Sequence, residues 1–340
     1  MNRITIKKIP KKILVIKPSS LGDIIHSLPF LYAIKETFPR AEVHWVVSKG
    51  LEGMLEGHPM VRRLLVINKD QWKNIRKVKE TLSEAKALLK ELREEAYDMV
   101  IDLQGLLRSG IIAQATRSPL RVGFKEAREG SNLFYTHKIK GGRDIHAVDR
   151  YLKIANALGC DMEDMRFPMP LIKESENVTR LRQEIGRYAV IVPGARWKTK
   201  RWLPERFGRT ASMLSTKTII VGSPSDSEIS RIIEKESGGK AISMAGRTDL
   251  KELISIIRNA SYMISNDSGP MHIAAAFKIP VVAIFGPTNP LRTGPYGSGH
   301  KIIRPNIHCS PCYKKTCKNI KCMEDITVES VLEAVKGLRS

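Results

Sequence analysis

A single carboxylate lies in the turn KPSSLGDIIHSLPF, residues 17–30, where a short apolar run gives way to a helical pattern. Ser20 and Asp23 are three residues apart, which is the spacing of a helix capping box. Gly22 leaves space beside the carboxylate for a substrate, and His26 lies one turn further along the same helix face. Asp23 could therefore cap the helix, act as a general base, or do both.

A second turn whose residues could bind a ligand or take part in chemistry is ISNDSGPMHIAAA, residues 264–276. Asp267 or Ser268 can cap the helix that follows, and Gly269 lets a ligand approach the backbone. A helix N-terminus presents free N–H groups and partial positive charge, which suits a phosphate. The alternative is an ordinary capped helix in which His272 is incidental.

Two more turns of the second half follow predicted strands. In VGSPSDSE, residues 221–228, Asp226 could bind ribose hydroxyls or cap the next helix. In PGARWKTKRWLPERF, a lysine placed after a strand could neutralise a diphosphate leaving group without a metal, unless the loop is merely solvated. The basic residues of this turn are Arg196, Lys198, Lys200 and Arg201.

Polar and basic residues follow the strands of the first half as well. A strand ends at Asp102, Gln104 and Gly105, and Arg108 lies on the helix after it. These groups could bind an anionic acceptor, or they could be charged surface residues without a binding role. The other candidates are Lys125, Arg128, His146 and Arg150.

The charge of the chain predicts an anionic partner. The formal net charge is +22, and no Asp or Glu occurs between Asp267 and Glu324 or between Asp102 and Glu126. Nucleic acid, an anionic membrane or a phosphorylated small molecule would suit such charge, although a lysine-rich surface alone could produce it. Aromatic residues make up only 6% of the chain, and the basic residues follow strands, so nucleic acid is disfavoured.

The sequence contains neither GxGxxG after a strand nor GxxxxGK[ST], so no motif supports a dinucleotide fold or a P-loop. No apolar run reaches the roughly 18 residues of a membrane span. The apolar run ILVI, which follows basic residues 1–12, is shorter than the roughly 7–15 residues of a signal-peptide core. A cytoplasmic location is expected.

Four cysteines form the segment CSPCYKKTCKNIKC. Such clustering in a cytosolic chain indicates metal or redox chemistry before structural disulfides. The spacing is not that of a standard zinc ribbon, so a thiol-rich basic loop is the alternative. The four are Cys309, Cys312, Cys317 and Cys322, whereas Cys160 stands alone and is expected to be buried.

Apolar runs alternate with helical patterns along both halves, which predicts an α/β fold with parallel strands. Strands are predicted at 12–16, 42–47, 63–67, 98–103 and 120–124, and at 188–194, 217–223, 241–244, 262–265 and 281–285. The principal helices are predicted at 24–38, 71–96, 105–116, 146–159, 204–215, 226–236, 249–258, 270–277 and 327–338. A linker at about 165–178 separates two doubly wound domains.

The stretches KPSSLGDIIHSLP, DLQGLLRSG, KRWLPERF, SNDSGPMHIAAA and FGPTNP occur together and in one order. In this the chain resembles the lipopolysaccharide heptosyltransferases of glycosyltransferase family 9. It is most like the heptosyltransferase I branch, judged by the stretches HWVVSKG, DLQGLLRSG, KEAREGSNLFY and HAVDR. The resemblance implies the GT-B architecture, in which two Rossmann-like domains face a central cleft. Residues 1–170 would bind the acceptor and residues 171–340 the ADP-sugar, with the last helix able to pack back on the first domain.

The same resemblance implies an inverting, metal-independent transfer of L-glycero-D-manno-heptose from ADP-heptose to Kdo of Kdo2-lipid A, with no cofactor. It implies that Asp23 is the general base and that Lys200 binds the diphosphate. Asp226 would hold the ribose and Thr248 the adenine. Donor sugar and phosphates would be held by Asp267, Ser268, Gly269 and His272. The acceptor-binding candidates are Ser20, Gly22, His26, Gln104, Arg108, Lys125, Arg128 and His146.

The cysteine segment departs from the heptosyltransferase I pattern and resembles a region of some heptosyltransferase II-like members. A heptosyltransferase II-like enzyme, or another family 9 transferase acting on a heptosylated core, is therefore the alternative, and a nucleic-acid-binding protein is a remote one. The expected place of action is the cytoplasmic face of the inner membrane of a Gram-negative bacterium.

Overall fold

The computed structural model describes residues 3–68 and 78–338. The predicted helix at 71–96 is observed from Val78, and its residues 71–77 lie outside the described part. The chain divides into two compact units, Met1–Leu171 and Ile172–Ser340. No described helix combines the length and the apolar character needed to cross a membrane.

The first unit contains a parallel sheet which, in the described residues, has six strands in the order β3-β2-β1-β4-β5-β6. The strands are β1 (Lys12–Ile16), β2 (Glu42–Ser48), β3 (Arg63–Ile67), β4 (Met99–Asp102), β5 (Leu120–Phe124) and β6 (His137–Ile139). The helices are α1 (Leu21–His26), α2 (Leu28–Thr37), α3 (Val78–Glu94), α4 (Leu107–Ala115) and α5 (Ala147–Ala157). Short 3-10 turns lie at Glu52–Met54 and Ser131–Phe134.

Strand β1 lies at the centre of this sheet, and its apolar ILVI run is completely buried there. It pairs with β2 on one side and with β4 on the other. The order of strands therefore reverses between β1 and β4. In open α/β sheets, ligands bind at the carboxyl ends of strands at such a switch point.

The single helix predicted at 24–38 is wrong, because α1 and α2 are separate helices that break at Ser27. Pro29 has no N–H and cannot continue the hydrogen-bond ladder of α1, but it fits the first turn of α2. The Ser27 hydroxyl donates to the Ile24 carbonyl oxygen at 2.7 Å and closes α1. The helix that carries Asp23 is therefore only six residues long.

The second unit repeats the plan, with a described sheet in the order β12-β11-β10-β7-β8-β9. Its strands are β7 (Tyr188–Val192), β8 (Lys217–Ile220), β9 (Ala241–Ser243), β10 (Met263–Asn266), β11 (Val281–Ile284) and β12 (Lys301–Ile303). Its helices are α6 (Glu176–Ile185), α7 (Pro204–Met213), α8 (Ser227–Glu236), α9 (Leu250–Arg258), α10 (Gly269–Ala276), α11 (Pro290–Thr293), α12 (Lys321–Glu324) and α13 (Val328–Lys336). Here the switch point lies between β7 and β10.

Several short elements of the described residues have no counterpart in the sequence prediction, among them β6, β12, α6, α11 and α12. Strands β6 and β12 are edge strands of three residues, too short to show a period. Helix α6 begins inside the predicted linker, where the Ser175 hydroxyl accepts a hydrogen bond from Val178 N at 3.3 Å. The closing helix α13 packs on α7, β11 and β12 of the second unit.

Candidate functional site

In the first unit, Asp23 lies just beyond β1, beside the switch point. Its Oδ2 accepts hydrogen bonds from the backbone N of Ser20 at 2.9 Å and from the Ser20 hydroxyl at 2.7 Å. Its Oδ1 lies 3.4 Å from the hydroxyl of Tyr151 and 3.8 Å from Nζ of Lys17. The side chain of Asp23 is 37% exposed, so the carboxylate is held on one side and open on the other.

Lys17 is the cation of this site. Burial by itself would lower the pKa of its ammonium, but the Asp23 carboxylate, Tyr151 and Asp102 outweigh burial and raise the pKa above its ordinary value. The amine lies 5.4 Å from the ring centre of Tyr151, which projects from α5. A buried, charged lysine therefore stands beside the carboxylate that could act as a base.

Asp102, at the end of β4, shapes the neighbouring turn. Tyr135 donates to its Oδ2 at 2.6 Å, and the backbone N atoms of Gln104 and Gly105 donate to its Oδ1 at 2.8 and 3.0 Å. Burial raises the pKa of Asp102, although these hydrogen bonds oppose the shift. Gly105 has φ +66°, which favours glycine. Asp102 thus fixes the turn that carries Gln104.

A small pocket opens between the turns that follow β1 and β4. Gln104 and Arg108 line it together with Ser19 and Ser48. The Gln104 Oε1 atom is buried and has no hydrogen-bond partner among the described residues. A buried acceptor and an exposed guanidinium suit a ligand that has both hydroxyl and anionic groups.

The other predicted acceptor residues lie on adjoining turns of this unit. His26 is buried, and its ring centre is 5.0 Å from that of His146. His146 also caps α5, since its Nδ1 accepts a hydrogen bond from Val148 N at 3.2 Å. Lys125 and Arg128 are exposed, and Arg128 N donates to the Gly105 carbonyl oxygen at 2.9 Å.

In the second unit, Lys200 and Asp267 meet at the switch point. Lys200 follows β7, Asp267 follows β10, and Lys200 Nζ donates to Asp267 Oδ2 at 2.6 Å. The Thr288 hydroxyl donates to the same oxygen at 2.6 Å. Asn266 joins the two turns, because its Nδ2 donates to the Pro193 carbonyl oxygen at 2.7 Å. This site therefore combines a partly buried ammonium with a fixed carboxylate.

Helix α10 begins directly beside this pair. Ser268 is its N-cap residue and makes no side-chain capping bond, and Gly269 is the first helical residue. His272 is buried in the same short helix. The free N–H groups and the positive end of the helix dipole thus lie next to Lys200.

Asp226 is buried and occupied by local contacts. Its Oδ2 accepts hydrogen bonds from Ser223 N at 2.9 Å and from the Ser223 hydroxyl at 2.7 Å. Arg201 lies 3.9 Å from its Oδ1, and a Cβ at Gly194 would come within 2.6 Å of Oδ2. Asp226 therefore caps the turn that begins at Ser223 and packs against Gly194 in the turn after β7. Its role in binding the ribose stays a prediction. Thr248 is half-buried and precedes α9.

The cysteines carry free thiols, and Cys160 is buried as expected. Over residues 3–68 and 78–338, no group of three or more His, Cys, Asp or Glu side chains is arranged to hold a metal ion. The metal role predicted for the four clustered cysteines stays a prediction.

Several residues of these sites were not singled out from the sequence. Lys17 and Tyr151 stand 134 positions apart, and only folding brings both to Asp23. Asn266 and Thr288 also act through contacts distant in the chain. The one available signal was Lys17 itself, because a lysine directly after a buried strand is costly without a partner.

Comparisons with known proteins agree on one family. Residues 85–323 match the model of glycosyltransferase family 9 (heptosyltransferase). Lipopolysaccharide heptosyltransferase 1 of Pseudomonas aeruginosa is 31% identical over 90% of this chain and 87% of its own length. Lipooligosaccharide heptosyltransferase 2 of Campylobacter jejuni is also 31% identical, over 96% of this chain and 99% of its own.

Among solved structures, the Escherichia coli heptosyltransferase WaaC, solved with ADP, superposes with a TM-score of 0.78. It is 22% identical and the match covers 96% of this chain and 99% of that one. The predicted GT-B fold is thereby confirmed. Curated relatives of types 1 and 2 are equally similar to this chain, so their names do not select between the two reactions.

Proposed function

The chain belongs to glycosyltransferase family 9, and on that premise we propose that it is an inverting heptosyltransferase of the lipopolysaccharide core in which Asp23 is the general base. It would move L-glycero-D-manno-heptose from ADP-heptose to Kdo of Kdo2-lipid A. Inversion is a single displacement, so one base takes the proton of the acceptor hydroxyl as ADP departs from the opposite face of the sugar.

The observation that carries the proposal is the environment of Asp23. Ser20 holds one carboxylate oxygen, and the other lies beside Lys17 and Tyr151. A carboxylate next to a buried cation stays ionised and can accept a proton. The partial exposure of Asp23 leaves it accessible to an acceptor hydroxyl.

The second unit suits the leaving group. Lys200 and the N-terminus of α10 supply positive charge at the switch point, where the diphosphate of ADP would lie. Asp267, held by Lys200 and Thr288, would accept hydrogen bonds from sugar hydroxyls. In this proposal these groups stabilise the departing diphosphate, and the reaction needs no metal or other cofactor.

Two observations bear on the acceptor. The pocket of Gln104 and Arg108, with Lys125 and Arg128 exposed nearby, suits a sugar that carries carboxylate or phosphate, as Kdo does. The segment Cys309–Cys322 resembles heptosyltransferase II-like members, which favours a heptosylated acceptor as the second candidate.

The test is a transfer assay with ADP-heptose and two acceptors, Kdo2-lipid A and the same acceptor already carrying one heptose. We expect transfer to Kdo2-lipid A, with product detected by mass spectrometry. Asp23→Asn keeps a capping oxygen but removes the base, so we expect turnover to fall on the order of 10²- to 10⁴-fold while ADP binding persists.

Asp164→Asn is the matched control, because Asp164 is an exposed carboxylate of the same unit that pairs with Arg166. Its activity should equal that of the parent enzyme. Transfer only to the heptosylated acceptor would establish the second candidate. Full activity of Asp23→Asn would disprove the role of Asp23.

A further inference from the structure

The segment Cys309–Cys322 lies against two turns of the proposed donor site. Cys312 N and Tyr313 N both donate to the Pro287 carbonyl oxygen, at 3.1 and 2.8 Å. The Thr199 hydroxyl donates to the Lys314 carbonyl oxygen at 2.9 Å. Thr199 precedes Lys200, and Pro287 precedes Thr288, so the segment is bonded to both turns that hold Asp267.

A thiol anchors the far end of the segment. Cys322 packs on the core of the second unit, and its Sγ would lie 3.1 Å from a Cβ placed at Gly286. Burial raises its pKa to about 11, with Cys312, Cys309 and Cys317 acting in the same direction. The thiol is therefore protonated at neutral pH and serves as an apolar packing group.

This placement brings a second ammonium to the ring beside Lys200. Lys200 Nζ lies 4.6 Å from the ring centre of Trp197, and Lys315 Nζ lies 5.7 Å from the same ring. Both distances are within the range of cation–π attraction. The ring of Trp197 thus holds two cations at one place.

The two cations differ in their pairing. Lys200 is bonded to Asp267, so much of its charge is already balanced. Within the described residues, no carboxylate oxygen lies within 4.0 Å of Lys315 Nζ. The segment itself has no acidic residue and carries four lysines. A diphosphate carries more negative charge than the Lys200–Asp267 pair can balance, and Lys315 can neutralise part of it.

We propose that Lys315 is a second diphosphate-binding residue of the donor site, held against Trp197 by the segment Cys309–Cys322. This rests on the proposed function, since it assumes that ADP-heptose binds beside Lys200. The segment then has a structural role, which is to place an exposed ammonium beside the phosphates.

The test is calorimetric titration of the full chain with ADP and with adenosine. Lys315→Met keeps the aliphatic stem near Trp197 but removes the charge, so we expect ADP to bind roughly tenfold more weakly. Adenosine lacks phosphate and should bind equally to both proteins. Lys315→Arg should restore most of the ADP affinity.

Lys318→Met is the matched control, because Lys318 is exposed on the same segment and its loss changes the net charge equally. It should bind ADP like the parent. Equal loss in both methionine variants would indicate a general charge effect and overturn the proposal. Parent-like binding of ADP by Lys315→Met would overturn it as well, while leaving Lys200 and the proposed function intact. Failure of the parent protein to bind ADP would instead disprove the donor site as a whole.

Discussion

The two carboxylate oxygens of Asp23 have different contacts, and in the proposed function they have different tasks. Oδ2 is occupied by the backbone N and hydroxyl of Ser20, which is the capping interaction that the spacing predicts. Oδ1 lies beside Tyr151 and Lys17, and these contacts are not needed for a cap. Capping therefore orients the carboxylate, and in the proposed function Oδ1 accepts the proton of the acceptor hydroxyl.

At this scale we predict that Lys17→Met changes the pH dependence of transfer. Lys17 interacts with the ionised form of Asp23, as the raised pKa of Lys17 indicates. Loss of this positive charge makes the carboxylate easier to protonate. The acidic limb of the kcat/KM profile should therefore move to higher pH, and activity should be lost first at low pH.

Lys35→Met serves as the control, because among the described residues the Lys35 amine bonds to the backbone oxygens of Pro39 and Ala41 and to no carboxylate. The acidic limb of its kcat/KM profile should lie at the same pH as in the parent enzyme. Circular dichroism checks that each variant is folded. A Lys17→Met enzyme that is slower at every pH, with an unmoved acidic limb, would mean that Lys17 has only a structural role.

At the scale of elements, the second unit depends on close approach between α7 and α8. A Cβ at Gly208 of α7 would lie 2.3 Å from the Glu236 Cβ and 3.0 Å from the Ile233 carbonyl oxygen. Backbone atoms cannot move aside cheaply. Helix α7 begins shortly after Lys200 and helix α8 begins directly after Asp226, so the spacing of the two helices also affects these two turns.

We therefore predict that Gly208→Ala lowers the free energy of unfolding by about 1–3 kcal/mol, despite the better helix propensity of alanine. Urea denaturation followed by fluorescence measures the change. Met213→Ala is the control in the same helix, because Met213 is 63% exposed, and it should change stability little. A Gly208→Ala protein as stable as the parent would show that the helices separate without cost.

At the scale of the whole molecule, the net charge of +22 predicts attraction to an anionic membrane that carries the acceptor. Each basic residue near such a surface contributes on the order of 1 kcal/mol, and salt screens the attraction. We expect the protein to sediment with vesicles containing an anionic phospholipid at low salt and to be released at high salt. Vesicles of phosphatidylcholine alone are the control, and equal binding to both kinds would contradict an electrostatic origin.

The amino-acid sequence alone was sufficient for the α/β alternation and for the turns that carry chemistry. Buried parallel strands are short apolar runs, and capping and glycine turns have local signatures, so neither needs distant contacts to be recognised. Asp23 and Asp267 could be named for that reason, whereas Lys200 was selected from four basic residues by the resemblance to the family. Likewise, β3 and β5 are observed at the predicted bounds.

Other features were decided only by tertiary structure. The break at Ser27, the edge strands β6 and β12, and the start of α6 depend on short segments whose patterns are weak. The partners of Asp23 and Asp267 are distant in the chain and carry no local signature. Lys17, Tyr151 and Lys315 have their proposed roles because folding brings distant residues to them, and sequence spacing does not show which distant residues will meet.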